Sequence, residues 1–426
     1  MNPFCIIGAG PAGLAAAAAL KQRELSFDHF EAHDAVGGIW DVNRPDSPMY
    51  ESAHLISSRS MSGFSDFPLP EDYPDYPSHA LVLDYLRAYA KHHALVEGIR
   101  FGTKVTQVVP DERGVTVTVA GERVRYRGVV CASGQNWDPI MPEIPGRFSG
   151  ELRHAVTYRR PEELRGKRVL IVGLGNSGAD IACDAVREAK SVHVSVRRGY
   201  HFVPKYLFGK PADVFAHEGP QLPLWLEKPL FSLMLRLLVG DTTRLGMPKP
   251  DHAVLDSHPL LNDQLLHHLR HGDAKLCADI AELTGSSVLL RDGSRLEVDF
   301  ILFATGYSRK IPYLDPSFLD GAWGAGQFLT CFSRRFPGLF TLGFTELNGA
   351  LYPHLSRQSA LIADFMRLLL DSPRRATDFH DWLKHAELDL TGGRSLIDSP
   401  RHAHYCDEHA LVRATERVAG RLAKGG

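Results

Sequence analysis

No CxxC pair occurs among the six cysteines (Cys5, Cys131, Cys183, Cys277, Cys331 and Cys406), which argues against a zinc ribbon and against a dithiol redox centre. Neither sign of charge is in excess. Lys and Arg number 48 and Asp and Glu 50, for a formal net charge of -2, so nothing global attracts nucleic acid or an anionic membrane. No apolar run reaches the roughly 20 residues that span a bilayer. The longest candidate, residues 229–240, is short and contains Arg236. The N-terminal MNPFCIIGAG has no basic segment ahead of its apolar run, so no secretory signal is expected. Low-complexity tracts, a nucleophile–His–acid triad and paired carboxylates are also missing. The 21 histidines supply no metal box. On a helix, His92–His93 and His267–His268 would point about 100° apart, a poor geometry for one shared ion. RHAHYCDEH (401–409) is read as a polar tail, and no metal is expected.

What remains is an ordinary globular composition, 44% hydrophobic and 23% charged over 426 residues, enough for two or three domains. Two segments share one pattern of apolar strand, glycine-rich turn and helix. They are FCIIGAGPAGLAAAAAL (4–20) and RVLIVGLGNSGADIACDAV (168–186). Their separation is too long for a solenoid repeat, so the reading is two nucleotide-binding modules.

In the first module, Gly8, Gly10 and Gly13 fit GxGxxG directly after the strand Phe4–Ile7. Such glycines permit the tight turn, the approach of a pyrophosphate and close helix–strand packing. The helix N-terminus then faces the phosphates with free N–H groups and the positive dipole end. A second strand, Phe27–Phe30, ends at Glu31, close to the spacing expected of the acid that binds a ribose hydroxyl. An acid there favours FAD or NAD over NADP. AVGGIW (35–40) follows, with Gly37 and Gly38 able to pass close to a cofactor.

In the second module, Gly173, Gly175 and Gly178 repeat the fingerprint, and Asn176 and Ser177 add donors at the helix start. Asp180 is placed in the first helical turn, where an acid also suits the dipole. The strand SVHVSV (191–196) ends in Arg197–Arg198, so arginine is expected where the first module has Glu31. Two cations there suit a 2′-phosphate, hence NADPH; the bland alternative is a solvated basic strand end.

Between and beyond the modules, a Pro-rich loop at 72–79 precedes a helix over 81–93, and strands are expected at 114–120 and 126–134. Residues 200–262 form a long insertion with one apolar helix near 230–239. A hairpin follows, SSVLLRD (286–292) and RLEVDFILFATG (295–306), joined by a DG turn. The last third holds a helix over 358–370 and a polar tail.

The chain resembles the flavin-containing monooxygenase family, the class B flavoprotein monooxygenases. FSGELRHAVTY supplies Phe148, Gly150, His154 and Tyr158 for the family's F-x-G-x-x-x-H-x-x-x-(Y/F/W). FATGY (303–307) matches the family's late strand, and GFSDFPLPEDYPDYPSH (63–79) its early loop. The resemblance implies an α/β fold of two Rossmann-like dinucleotide-binding domains. The NADPH domain (156–302) would be inserted in a discontinuous FAD domain (1–155 and 303–426). FAD would be held by Gly8, Gly10, Gly13, Glu31, Gly38, Trp40, Val105 and Gly306. NADPH would be held by Gly173, Gly175, Asn176, Ser177, Gly178, Arg197 and Arg198, with O2 and a small molecule as substrates. The family forms a flavin C4a-hydroperoxide and passes one oxygen to a soft nitrogen or sulfur, the cofactor supplying the reactivity. The expected catalytic set is Ile56, Ser57 and His154. His154 has a second reading as a purely architectural residue. Microsomal members end in an apolar anchor. This chain ends RLAKGG, so it resembles a soluble, bacterial-type, cytoplasmic member, and a homodimer is left open.

Two departures matter. Many members carry Asn in the loop after GGxW, where its amide helps to hold the peroxyflavin; here Ile56 stands there and can donate nothing, which leaves Ser57, Ser58 and the backbone as substitutes. This opens the alternative of an uncoupled NADPH oxidase. Baeyer–Villiger ketone oxygenases end the fingerprint in Trp-Pro, whereas this chain has Tyr158–Arg159. A flavin disulfide reductase would need the missing dithiol.

Overall fold

The computed structural model describes residues 2–220, 222–321, 326–397 and 405–424. The chain divides into two compact units. One comprises residues 1–41, 57–135 and 309–426, the other 42–56 and 136–308. Residues 42–56, 136–155 and 303–308, which the sequence reading assigns to the FAD domain, therefore lie in the second unit.

The first unit is built on a five-stranded parallel sheet. Its central strand β1 (Phe4–Ile7) is buried at all four residues. It opens onto helix α1 (Pro11–Gln22) and is flanked by β2 (Phe27–Phe30) and the strand Gly128–Cys131. Ile99–Arg100 and Leu339–Thr341 complete the edges. Strands buried on both faces must be apolar throughout, which is why FCII and GVVC carry no alternation. The Ala-rich face of α1 brings it close to the long helix Tyr352–Asp371, with Ala15 to Ala19 buried. That helix begins well before the expected 358, with Pro353 in its first turn.

The expected polar tail is instead two helices, Pro373–His385 and Glu408–Lys424. In the second, Leu411, Thr415, Val418 and Leu422 are buried at a spacing of four, three and four, one helix face. Interleaved arginines and glutamates hid that stripe in the sequence.

The second unit repeats the plan. Its parallel sheet runs β3 (Glu151–His154), β6 (Phe300–Phe303), β4 (Arg168–Val172), β5 (Ser191–Ser195) and the strand Ala274–Cys277, with α2 (Asn176–Glu188) following β4. The strand expected over 295–306 is broken. Arg295–Glu297 pairs antiparallel with Ser287–Leu290, while β6 lies between β3 and β4 in the other sheet. The break is at Asp299. Its carboxylate accepts from the Arg168 backbone N–H at 2.8 Å and the Arg168 guanidinium at 2.6 Å, and its carbonyl accepts from Glu151 N–H. A polar anchor at that point lets the chain change sheets. In the insertion, the apolar helix expected near 230–239 runs Leu224–Leu238, with Pro229 inside it. Among the described residues no helix is long and apolar enough to cross a membrane.

Candidate functional site

In the first glycine turn, the Gly8 N–H donates to the Phe30 carbonyl at 2.8 Å and Gly8 has φ +107°. A Cβ on Gly8 would stand 2.5 Å from the Ala132 carbonyl oxygen, and one on Gly13 would stand 1.8 Å from the Gly8 oxygen. Gly10 caps α1 without a side-chain hydrogen bond and Pro11 occupies N1, so the first N–H groups of the helix are available to an anion. Gly38 closes on this cap, since its Cβ would lie 2.9 Å from the Gly10 Cα. Trp40, in the short 3-10 turn Gly38–Trp40, is buried, and Val105 is buried at the head of the strand Val105–Asp111. Glu31 is buried too. Its Oε2 accepts from the Ala9 N–H at 2.6 Å and its Oε1 from the His33 N–H at 2.9 Å. Each oxygen keeps a lone pair that a ribose hydroxyl can use. An open helix start, backbone packed where a Cβ would collide and a buried acid at the strand end together fit a dinucleotide.

The second turn repeats the backbone contacts of the first. Gly173 has φ +102° and donates to the Ser195 carbonyl; its Cβ would meet the Ala304 oxygen at 2.7 Å, and a Cβ on Gly178 would meet the Gly173 oxygen at 2.2 Å. Gly175 caps α2 without a side-chain bond, and a Cβ on it would meet nothing within 4 Å. Asn176 Oδ1 accepts from the Leu261 N–H, and Ser177 is exposed. The register corrects the expectation about arginine. Ile7 pairs with Phe30 and Val172 with Ser195, so the residue equivalent to Glu31 is buried Val196, and Arg197 and Arg198 follow it. Arg197 is exposed, and Arg198 stacks over Tyr200 at 5.8 Å. Asp180 lies beyond the first turn of α2. Its half-hidden carboxylate accepts from Tyr50 Oη at 3.1 Å and Asn262 Nδ2 at 2.8 Å, and burial pushes its pKa up.

Of the fingerprint residues, His154 and Tyr158 are buried within the second unit. The Phe148 ring covers Gly150, where a Cβ would stand 2.7 Å from the ring and 2.5 Å from the Asp299 oxygen. His154 is buried. Its Nδ1 accepts from the Val156 N–H at 3.1 Å, so the proton sits on Nε2, which donates to the Gly306 carbonyl at 3.1 Å. Burial lowers its pKa, which favours this neutral tautomer. The same Gly306 carbonyl accepts from the Ile140 N–H at 3.0 Å. Tyr158 Oη donates to buried Asp184, which also accepts from Ser52 Oγ at 2.5 Å. The fingerprint thereby reaches both the FATGY strand end and α2, and Asp184 of α2 also holds Ser52 of the 42–56 segment.

A family description, flavin-binding monooxygenase-like, matches residues 2–389. The chain belongs to that family. It is 33% identical over 430 residues to human flavin-containing monooxygenase 5, covering 94% of this chain and 79% of that one. It is 30% identical over 451 residues to rat dimethylaniline monooxygenase [N-oxide-forming] 2, covering 96% and 82%. Among solved structures, the open crystal structure of cyclohexanone monooxygenase superposes with a TM-score of 0.75 at 21% identity, covering 100% of this chain and 98% of that chain. This family member is a flavin-dependent monooxygenase with FAD and NADPH as cofactors.

The structure adds residues that the motifs did not name. Ala132 and Ala304 lie under the two glycine turns, each at the end of a parallel strand, in CASG (131–134) and FATG (303–306). That short internal repeat was visible in the sequence and could have found them. His29 lies under the first turn, and no sequence signal marks it. Near the segment boundary, Ile56 is exposed. Ser62 Oγ donates to the Ser58 carbonyl at 2.7 Å, so the 2.8 Å contact between Ser57 and Ser62 must use the Ser57 proton. Ser57 is left as an acceptor, and Ser58 is buried against Ser60. The acidic and histidine residues of 401–409 fall partly outside the described residues; Tyr405–Cys406 is a strand pairing with Glu346–Leu347.

Proposed function

We propose that this monooxygenase transfers oxygen to a soft nitrogen or sulfur of a small molecule. FAD would be held by Gly8, Gly10, Gly13, Glu31, Gly38, Trp40, Val105 and Gly306, and NADPH by Gly173, Gly175, Asn176, Ser177, Gly178, Arg197 and Arg198. The observation that carries the cofactor part is the doubled turn, with both helices opening on an uncapped glycine and only the first having a buried acid at its strand end. Arg197 and Arg198, just beyond the equivalent strand end, supply charge for a 2′-phosphate. The bound flavin, reduced by NADPH, supplies the oxygen chemistry. The chain's own residues bind, orient and keep out water. His154 acts here by fixing the Gly306 carbonyl, a positioning role. Nitrogen or sulfur as acceptor is supported by the N-oxide-forming relative and by Tyr158–Arg159 in place of Trp-Pro. The cyclohexanone monooxygenase likeness supports the fold and leaves ketones as the second substrate class to assay.

A second reading, an NADPH oxidase releasing peroxide, is favoured by one specific observation. Positions 56 and 57 provide no side-chain proton, since Ile56 has none and that of Ser57 is committed to Ser62. Both readings meet in one assay. The yellow holoprotein is given NADPH and O2 with amines, sulfides or ketones, and product and peroxide are counted per NADPH. Oxygenated amine or sulfide in preference to lactone or ester is the expected result, with Ile56→Asn raising product per NADPH. Peroxide equal to NADPH with every substrate would reject the monooxygenase reading.

A further inference from the structure

The Gly8–Ala9 peptide is gripped at both ends by one strand. His29 and Glu31 are two residues apart at the end of β2, so their side chains leave the same face. His29 Nε2 lies 2.8 Å from the Gly8 carbonyl oxygen, and Glu31 Oε2 lies 2.6 Å from the Ala9 N–H. Those two backbone groups belong to a single planar amide whose C=O and N–H point in opposite directions. A carbonyl only accepts, so the His29 proton is on Nε2 and the ring donates. The ring is 1% exposed, and its Nδ1 has no partner among the described residues. An unpaired buried nitrogen is a cost, and it is borne here beside the glycine turn. In the second unit the equivalent positions are Val194 and Val196, both buried, which can form neither bond.

We infer that His29 is a positioning residue for the flavin: its Nε2–H holds the Gly8 carbonyl and so fixes the plane that aims the Ala9 N–H and the first turn of α1 at the pyrophosphate. Glu31 alone could hold that plane only while its carboxylate stays on Ala9. With a ribose hydroxyl sharing the carboxylate's remaining lone pairs, the His29 bond still fixes the opposite end. The turn is then pre-organised before the cofactor arrives, which lowers the ordering cost of binding. The second turn, without such a clamp, suits a nucleotide that must come and go.

The inference rests on the first turn being the flavin's, and the test separates the two. His29→Val copies the second unit, His29→Gln keeps a donor at the position of Nε2, and His29→Phe keeps a ring without the donor. Apoprotein is titrated with FAD by fluorescence quenching, FAD release from holoprotein is timed, and the KM for NADPH is measured alongside. His29→Val is expected to weaken FAD binding about tenfold and speed its release. His29→Gln should recover most of that loss, and the KM for NADPH should stay put. If His29→Val does not fold, His29→Phe answers the same question. An FAD affinity unchanged in the Val or Phe variant, or a Gln variant as weak as Val, would overturn the role of His29. A raised KM for NADPH with unchanged FAD affinity would overturn both that role and the assignment of the first turn to flavin.

Discussion

The two glycine turns share a backbone and differ in what stands beneath it. In each, the first glycine has a left-handed φ, donates to the last residue of the neighbouring strand and packs on an alanine carbonyl. Beneath the first turn are His29 and Glu31, which bond to it; beneath the second are Val194 and Val196, which only pack. The second glycine of the first turn is covered by Gly38, whereas Gly175 faces open space. The same fold element is thus a closed, hydrogen-bonded seat in one unit and an open, apolar-backed one in the other. On the proposed assignment, the closed seat takes the resident flavin and the open one the exchanging nucleotide.

The largest effect expected from breaking this comparison comes from the third glycines. A methyl at Gly13 must displace the Gly8 carbonyl, so Gly13→Ala should cost on the order of 3 kcal/mol and give colourless protein after gel filtration. Gly178→Ala creates the same collision in the second unit, at 2.2 Å, and should leave the protein yellow while flavin reduction by NADPH is lost. Colour lost in both variants would mean that the turns do not serve separate nucleotides.

The next effect is a dependence on pH at the first turn; the second has Val194, which does not titrate, in the place of His29. Burial holds the His29 imidazole down at about 4, against 6.5 for an exposed histidine. The folded state therefore binds this proton more weakly than the unfolded state. The stability at stake is complete above pH 6.5 and is lost as pH falls toward 4, with a ceiling of about 3 kcal/mol. The difference in unfolding free energy between pH 7 and pH 4 should shrink by up to that amount in His29→Gln. An unchanged difference would show that the ring is not held neutral by the fold.

The smallest effect sharpens the contrast. A Cβ on Gly175 meets nothing within 4 Å, so Gly175→Ala should shift stability by no more than about 0.5 kcal/mol. On the proposed assignment its methyl would stand where the NADPH pyrophosphate approaches, so the KM for NADPH should rise while thermal unfolding is unmoved. A lowered melting temperature with the KM unchanged would refute the open seat.

Much of this was legible in the sequence wherever one residue type answers a local need. The strands Phe4–Ile7 and Arg168–Val172 are short, largely apolar runs meeting a glycine, Phe27–Phe30 ends at the acid Glu31, and the structure has all three with those bounds. Less legible was anything set by pairing between strands. The sequence places arginine at the position equivalent to Glu31 because both follow a strand, but the ladder puts Val196 there. The run 295–306 reads as one strand because nothing local reports that Asp299 binds Arg168 and turns the chain. The helix Glu408–Lys424 reads as a polar tail in the sequence because its apolar stripe is thin among charges. The fingerprint was legible as a motif, whereas the inward targets of its side chains, Gly306 and Asp184, needed coordinates.

From the amino-acid order alone came the two turns and their chemistry, because a missing Cβ and a positive φ are demands that one residue meets wherever it folds. Tertiary structure alone decided which side chains stand under those turns. Parallel-strand register assigns them, and a slip of one residue would exchange the buried face for the other. His29 and Val194 are therefore told apart only when the strands lie side by side.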